Sequence, residues 1–302
     1  GELKVLDIGL SKEGIAVTPS SYRLLEEDDI RPRLLRRGSF VHKGDMGNAL
    51  IIAGSYGMAG AAVLATKACL RSGVGKATVC TPCRNNDIMQ ISVPEAVMCV
   101  GKDEKYFSDA VDASDFDAVC IGPGLGQQEA SAIALITQIR RTQAPVVIDA
   151  DGLNILASHK AWLQQLPKGI ILTPHPKEFE RLSGVHYGDS YERLGSARDM
   201  AERLQAYIIL KGHYSALCMP DGNVLFNTTG NAGMATAGSG DVLSGIITGL
   251  LARGYKQPDA CMIGMYLHGL AGDLAVRDVG MESLVASDII KCIPQAFIRL
   301  GA

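Results

Sequence analysis

The alternation of short apolar runs with longer helical segments constrains the fold of this chain most. Runs such as NALIIAG (48–54) and AYIILKG (206–212) have the length of buried strands and stop at glycine. The Ala-rich segment 59–73 and the segment 131–143 are long enough for helices. Apolar strands separated by helices of ten or more residues are typical of a parallel sheet that is covered on both faces. The pattern therefore predicts an α/β fold with a mainly parallel central sheet.

The same pattern extends along most of the chain and predicts one large domain. Further strands are expected at 76–82, 117–124, 145–152 and 169–176. The charged segment 189–205 is expected to be helical, and residues 240–301 are mostly helical in character. Residues 216–227 differ, because the dipeptide DG between two short apolar runs is typical of a β-hairpin turn.

Composition and charge exclude several classes of protein. The chain has 302 residues, with 29 basic and 32 acidic side chains, so nothing in its charge favours nucleic acid or an anionic membrane. No apolar run is long enough to span a membrane, and no signal peptide is recognisable at the start. Eight scattered cysteines in a chain of this size indicate reduced thiols, and CTPC (80–83) lacks the partners of a metal site. We therefore expect a cytoplasmic protein.

Glycine-rich or polar motifs follow five of the expected strands. In open parallel sheets, ligands bind at the carboxyl ends of the strands. Five such ends in series predict a ligand-binding cleft, and the motifs are GSYGMAG, GPGLG, DADGLN, TPHPKE and KGHYS.

The segment NAGMATAGSGDVLSGIITGLLARG (231–254) combines a glycine-rich turn with the start of a helix. Unpaired amides and the positive end of the helix dipole favour an anion there, such as a phosphoryl group. Asp241 lies in the first helical turn, where it either caps the helix or takes a proton from an attacking hydroxyl. Neither a P-loop nor the standard dinucleotide fingerprint occurs, since SGVGKAT and GPGLGQ both break the required spacing.

Several motifs in order resemble the NAD(P)H-hydrate dehydratases of the ribokinase-like superfamily. They are HKGDMGNALIIAGSYGMAGAAVLATKACLRSGVG, GPGLG, DADGLN, TPHPKEFERL and GMATAGSGDVLSGIITGLLARG. The resemblance covers roughly residues 25 to 300 and implies a three-layer α/β/α sandwich over 25–302. The motif VLDIG (5–9) resembles the joint that follows an NAD(P)H-hydrate epimerase domain in longer relatives. It implies that residues 1–24 are a linker or remnant of such a domain.

The resemblance also implies a reaction that repairs damaged nicotinamide cofactors. The S-form of NADH-hydrate or NADPH-hydrate is phosphorylated on its ring hydroxyl and then loses phosphate, which restores the cofactor. ADP, converted to AMP, is the phosphoryl donor in bacterial members and ATP in eukaryotic ones, with Mg²⁺ assisting. Family members are often homotetramers or larger, so the same assembly is expected here.

Individual site residues follow from matching these motifs. Asp241 corresponds to the catalytic aspartate of the family, which also faces the hydrate. The other residues expected at the hydrate are Ala59, Gly124 and His175. Those expected at the nucleotide are Lys211, Gly212, His213, Tyr214, Ser215, Asn231, Gly238 and Gly240. Glu178 is expected to hold Mg²⁺ through water.

Each assignment competes with a structural role. Alone, His175 reads as an ordinary loop histidine, and Glu178 as an acid that begins a helix. Asp149 and Asp151 either help to place the metal or cap the next turn. His268 is expected to pack near the nucleotide without taking part in chemistry.

Two other functions remain open from the sequence. A small-molecule kinase of the same fold, acting on a hydroxymethylpyrimidine, a thiazole alcohol or a sugar, would use the same base and anion site. A nucleotide-binding sensor without catalysis would keep the cleft but would not need Asp241.

Overall fold

The computed structural model describes residues 6–302, apart from the side chains of residues 12 and 16. Its ten strands are β1 (Tyr22–Leu25), β2 (Asn48–Ile52), β3 (Lys76–Thr81), β4 (Val97–Val100), β5 (Ala118–Ile121), β6 (Val146–Ile148), β7 (Ile171–Leu172), β8 (Tyr207–Leu210), β9 (Ala216–Cys218) and β10 (Val224–Asn227). The helices are α1 (Lys12–Val17), α2 (Glu27–Ile30), α3 (Ala59–Arg71), α4 (Asn86–Ser92), α5 (Glu129–Arg141), α6 (Asp151–Ser158), α7 (Pro176–Ser183), α8 (Ser190–Leu204), α9 (Ser239–Ala252), α10 (Gln257–Val279) and α11 (Ala286–Leu300).

All ten strands form one sheet in the order β1-β10-β9-β8-β7-β6-β5-β2-β3-β4. Every neighbouring pair is parallel except the two pairs made by β9, which runs antiparallel to β8 and to β10. The mainly parallel sheet predicted from the sequence is therefore confirmed, and so is the hairpin β9–β10. Gly222 lies in its turn with a φ of +80°, a conformation that glycine adopts without strain.

Helices cover both faces of the sheet and make three layers. Alternate residues of a strand point to opposite faces, and β2 illustrates this. Ala49 and Ile51 pack into the core formed with α3, α9, α10 and α11. Leu50 and Ile52 pack into the second core, with α5, α6, α7 and α8. Since both faces are buried, the strand reads as a continuous apolar run, and the α/β/α expectation is confirmed.

The sequence analysis missed the two edge strands, β1 and β4. In β4, Val97 and Val100 remain 57% and 51% exposed, because an edge strand is only half covered. Strand β1 pairs with β10 and crosses the expected boundary between residues 24 and 25. That division of the chain remains a prediction, and residue 5 of the motif VLDIG lies outside the described residues.

The structure also bears on membrane-spanning helices and on the state of the cysteines. Among the helices within residues 6–302, none has both the length and the apolar character that crossing a bilayer requires. All eight cysteines are free in this part of the chain, five of them buried and three partly buried.

Candidate functional site

Five strand ends meet at one edge of the sheet. Strands β8, β7, β6, β5 and β2 are consecutive neighbours and point the same way, so the loops that follow them lie side by side. Two cavities open there, and His175 lines both. We call the cavity of about 570 Å³ between residues 211–215 and 227–240 the loop cavity. We call the neighbouring cavity of about 460 Å³, lined by Asp151, Glu178 and Asp241, the acidic cavity.

Helix α9 begins between the two cavities. Gly238 caps it with a φ of +86°, and a Cβ at this position would lie 2.4 Å from Leu64 Cδ1. The first intrahelical bond runs from the Val242 amide to the Gly238 carbonyl, at 3.1 Å. Within residues 6–302 the amides of Gly240 and Asp241 have no hydrogen-bond acceptor. The start of α9 therefore offers two free donors, together with its dipole, to an anion.

Asp241 occupies the first turn of α9 and lines the acidic cavity. Burial, together with the nearby charge of Asp149, raises the pKa of its carboxyl to about 7, although Lys211 opposes the rise. Among the described residues no side chain or amide donates a hydrogen bond to this carboxylate. Asp241 therefore does not cap its helix, and a pKa near neutrality suits a general base.

A buried ion network lies behind Asp241. The ammonium of Lys211 is 2.8 Å from Asp149 Oδ1 and 3.7 Å from Glu178 Oε2. Burial alone would lower the pKa of Lys211, but Asp149 and Glu178 outweigh it and the pKa is raised. Gly240 lies against this network, because a Cβ there would be 3.1 Å from Lys211 Nζ. The lysine is thus held charged beside the start of α9.

His175 caps α7 while facing both cavities. Its Nδ1 accepts hydrogen bonds from the amides of Lys177 (3.2 Å) and Glu178 (3.3 Å). Glu178 Oε2 in turn accepts from the His175 amide at 2.8 Å. Burial lowers the pKa of His175. The two residues begin the helix and also line the acidic cavity, while their expected roles toward the hydrate and Mg²⁺ stay predictions.

The donor set limits how a metal could bind. Within residues 6–302 no group of three His, Cys, Asp or Glu side chains could enclose a metal ion. Asp149 and Glu178 are buried carboxylates that share Lys211 as a counter-charge, and His175 Nε2 lies 3.4 Å from Glu178. Mg²⁺ commonly keeps several waters and substrate phosphates and uses only one or two carboxylates. These residues fit that mode and do not fit an all-protein cage.

Six of the eight residues expected at the nucleotide line the loop cavity, namely Lys211, Gly212, His213, Ser215, Asn231 and Gly240. Tyr214 and Gly238 do not line it. Tyr214 packs its ring edgewise against His213, with 4.5 Å between centroids. Gly238 contributes to the cavity by allowing the turn with positive φ that precedes α9.

The side chain of Asn231 makes two hydrogen bonds within the protein. Its Nδ2 donates to Asp273 Oδ1 at 2.9 Å, and its Oδ1 accepts from the Gly233 amide at 3.0 Å. The other oxygen of Asp273 accepts from the Gly230 amide at 2.9 Å. Asn231 therefore fixes the shape of the loop, and its expected contact with the nucleotide stays a prediction for the second N–H of its amide.

Of the residues expected at the hydrate, Gly124, His175 and Asp241 line the acidic cavity. Gly124 has a φ of +58°, and a Cβ there would lie 2.9 Å from Ala61 Cβ. Ala59 does not line this cavity. It lines a third one of about 470 Å³ together with Tyr56 and Arg84, which we call the tyrosine cavity.

The structure adds one residue that the sequence analysis did not select, Arg181, and gives a role to Asp151, which it did. Arg181 lines the acidic cavity, and its Nε donates to Asn154 Oδ1 at 2.9 Å. Its spacing of three from Glu178 places both on one helix face, which could have identified it. Asp151 accepts hydrogen bonds from the Gly126 amide and from Gln127 Nε2, at 2.9 and 3.0 Å, and so holds the GPGLG loop.

His268 lies on the wall of the loop cavity, as expected. Its Nε2 is 3.3 Å from Ser239 Oγ, in the first residue of α9. Burial lowers the pKa of His268 to about 4, so the ring is neutral and supports the loop through packing and one hydrogen bond.

Comparison with known proteins places these features in one family. The family model for NAD(P)H-hydrate dehydratase matches residues 49–295. The bifunctional NAD(P)H-hydrate repair enzyme Nnr of Moorella thermoacetica is 39% identical, over 99% of this chain and 58% of that protein. The chain thus spans somewhat more than half the length of such bifunctional relatives. The ADP-dependent (S)-NAD(P)H-hydrate dehydratase of Bacillus subtilis is 34% identical, over 90% of this chain and 97% of that protein.

Solved structures agree with the sequence comparisons. The ADP/ATP-dependent NAD(P)H-hydrate dehydratase from Bacillus subtilis, co-crystallised with ATP and Mg²⁺, superposes with a TM-score of 0.83 at 32% identity, covering 92% of this chain and 98% of that one. A ribokinase-like superfamily protein from Enterococcus faecalis superposes with a TM-score of 0.82 at 26% identity, covering 94% and 98%. These matches confirm the ribokinase-like fold expected from the motifs.

Proposed function

The chain belongs to the NAD(P)H-hydrate dehydratase family of ribokinase-like proteins, and from this premise we propose that it dehydrates the S-form of NADH-hydrate and NADPH-hydrate. The phosphoryl donor is ADP, which becomes AMP, and phosphate is released. The observation that carries the proposal is the position of Asp241, whose carboxylate faces the acidic cavity while its own amide and that of Gly240 are free.

The two cavities divide the reaction between two substrates. The donor occupies the loop cavity, with its terminal phosphoryl group at the amides of Gly240 and Asp241. The hydrated nicotinamide ring occupies the acidic cavity. Asp241 then lies beside the ring hydroxyl, off the line along which the hydroxyl oxygen attacks phosphorus opposite the departing AMP oxygen.

The first step is phosphorylation of the ring hydroxyl. Asp241 accepts the hydroxyl proton as the oxygen attacks phosphorus, and its pKa near 7 lets it do so at neutral pH. The two free amides and the charged Lys211 stabilise the negative charge of the transferring group. Expulsion of that phosphate and loss of a proton from the adjacent ring carbon then restore the dihydronicotinamide.

The buried carboxylates are suited to support a hydrated Mg²⁺ ion on the donor phosphates. Asp149 and Glu178 would orient its waters, which agrees with the water-mediated role expected for Glu178. The bound ion would neutralise the charge of the phosphates. Without it, the carboxylates around Asp241 would oppose an incoming polyphosphate.

The wider context of the chain is also a proposal. We place a fused epimerase domain before residue 25 in the full-length protein, since the chain covers 58% of its bifunctional relatives. A homotetramer or larger assembly and a cytoplasmic location remain part of the same proposal.

A direct assay tests this function. The chain is mixed with enzymatically prepared hydrate, Mg²⁺ and either ADP or ATP, and recovery of the dihydronicotinamide absorbance is followed. We expect recovery with both nucleotides and the higher rate with ADP. A small-molecule kinase would instead leave the absorbance flat and phosphorylate an added pyrimidine, thiazole or sugar alcohol.

A further inference from the structure

Two glycines separate the acidic cavity from the tyrosine cavity and line both of them. They are Gly57, just before α3, and Gly60, in its first turn. Gly57 has a φ of +88°, so its backbone conformation explains the glycine. Gly60 has an ordinary helical backbone, and a Cβ added there would meet no atom within 4 Å. Neither conformation nor packing in the protein requires a glycine at position 60.

Gly60 differs from other such glycines, for example Gly195 in α8, because it lines two cavities, where the missing side chain lets a ligand approach the backbone closely. The open space above Gly60 borders both the cavity that holds Asp241 and the cavity beside Tyr56. A ligand longer than one nucleoside could therefore run from one to the other across the first turn of α3.

The two cavities differ in charge. Three carboxylates line the acidic cavity, against the single guanidinium of Arg181. The wall of the tyrosine cavity contains Arg84 and no acidic residue, although Arg84 Nη2 is paired with Glu104 Oε2 at 2.8 Å just outside the wall. Lys105 lies 6.0 Å from the centre of the Tyr56 ring, and in the described chain no carboxylate is within 4 Å of its ammonium. Phosphate groups are therefore disfavoured by the carboxylates on the first side, while on the second side the ammonium of Lys105 can attract them.

The Tyr56 ring supplies an exposed aromatic surface at this place. It keeps 58% of its area exposed, and Arg84 lies 5.6 Å from the ring centre. The Tyr56 amide donates to the Lys105 carbonyl at 2.8 Å, which ties the ring to its cationic neighbour. Ile88 lines the same cavity and is 45% exposed. Aromatic rings flanked by cations are common platforms for the bases of nucleotides.

We propose that the adenylate half of the dinucleotide substrate crosses Gly60 and binds in the tyrosine cavity, with its base on Tyr56 and its phosphates near Arg84 and Lys105. This inference rests on the proposed function and extends it. The neutral nicotinamide ring then lies among the carboxylates, and the anionic half lies among the cations. The charge difference between the cavities orients the substrate.

The first test compares two alanine substitutions in helices. Gly60→Ala adds a methyl group where the ligand is expected to pass. Gly195→Ala adds one in α8, where a Cβ also meets no atom within 4 Å, at a position that lines none of the three cavities. Both should keep or slightly raise the melting temperature, since alanine favours a helix. Only Gly60→Ala should raise KM for NADH-hydrate, roughly tenfold to a hundredfold, with KM for ADP unchanged.

The second test separates the two halves of the substrate. Tyr56→Ala should lower kcat/KM for NADH-hydrate by roughly 5- to 100-fold, the usual range for losing one stacked base. It should not change kcat/KM for the hydrate of reduced nicotinamide mononucleotide, which lacks the adenylate. Fluorescence titration with NADH supplies a binding readout that does not depend on turnover, and NADH should bind Tyr56→Ala more weakly than the wild type.

The outcomes are distinct. An active wild type with Gly60→Ala as active as Gly195→Ala overturns the adenylate site. Equal losses for both substrates in Tyr56→Ala overturn it as well. A wild type that converts no hydrate with either nucleotide refutes the proposed function itself, and a normal NADH titration in Gly60→Ala would then refute the subsite separately.

Discussion

Replacing Asp241 with asparagine should abolish the reaction and stabilise the protein at the same time. The carboxyl lies partly buried at the start of α9, and burial with the charge of Asp149 raises its pKa to about 7. As a general base it should contribute about 10²- to 10⁴-fold to the rate. The side-chain amide of the Asp241→Asn variant cannot take up the hydroxyl proton, so kcat should fall by that factor.

The same pKa determines how stability depends on pH. A carboxyl whose pKa is higher in the folded than in the unfolded chain binds its proton more tightly when folded. The free energy of unfolding therefore decreases as pH rises from near 4 to about 7, and the penalty is complete above 7. Removing the charge in Asp241→Asn should therefore raise the free energy of unfolding at pH 8 by roughly 2–4 kcal/mol, since each unit of pKa shift corresponds to about 1.4 kcal/mol.

The assays are urea unfolding at pH 5 and pH 8, and initial rates from pH 5.5 to 8.5. The wild-type rate should rise about tenfold for each pH unit below 7 and level off above it. Asp199→Asn, which changes an exposed acid on α8, is the matched control and should alter neither property. An Asp241→Asn variant with more than a tenth of wild-type activity, or one less stable than wild type at pH 8, would refute the reasoning.

Three further substitutions test the surroundings of this carboxylate. Lys211→Gln leaves two buried carboxylates unpaired, so it should lower the free energy of unfolding in urea by about 3 kcal/mol. It should also move the rising limb of the pH–rate profile to higher pH, because Lys211 lowers the pKa of Asp241. Asp149→Asn should move that limb to lower pH, and identical shifts in both variants would contradict the electrostatic account. Asn231→Ala and Asp273→Asn should raise KM for ADP by similar factors, about 5- to 20-fold, since both release one loop; a much larger effect of Asn231→Ala alone would indicate direct contact with the nucleotide.

Much of the fold could be predicted because the signals are local. Strands buried on both faces read as continuous apolar runs, and the glycines that follow them mark the turns at the carboxyl edge. The edge strands β1 and β4 carry a weaker signal, since half of their side chains face solvent. Their pairing depends on partners far along the chain, such as Val224 for Tyr22.

The site was predictable where one short segment contains the chemistry. Gly238, Gly240 and Asp241 form the start of α9 by themselves, so their sequence alone indicates an anion site with an adjacent carboxylate. Asn231 could not be assigned in this way, because its partner Asp273 is 42 residues away. A local motif shows that a polar residue is present but does not show which group forms hydrogen bonds with its side chain.

Ala59 shows a different limit. Its motif indicates contact with the substrate but not which half of it, and the residue lines the tyrosine cavity and not the cavity that holds Asp241. The distinction depends on how the first turn of α3 divides the space around it. That division follows from the packing of α3 on the sheet, which no short motif records.

The most direct test of the account is the position of the donor phosphates in a crystal structure of the chain with ADP and Mg²⁺. The terminal phosphate should lie about 3 Å from the amide nitrogens of Gly240 and Asp241, with the adenosine in the loop cavity. Phosphates bound in the tyrosine cavity, or a terminal phosphate that both amides leave untouched, would contradict the role assigned to the start of α9.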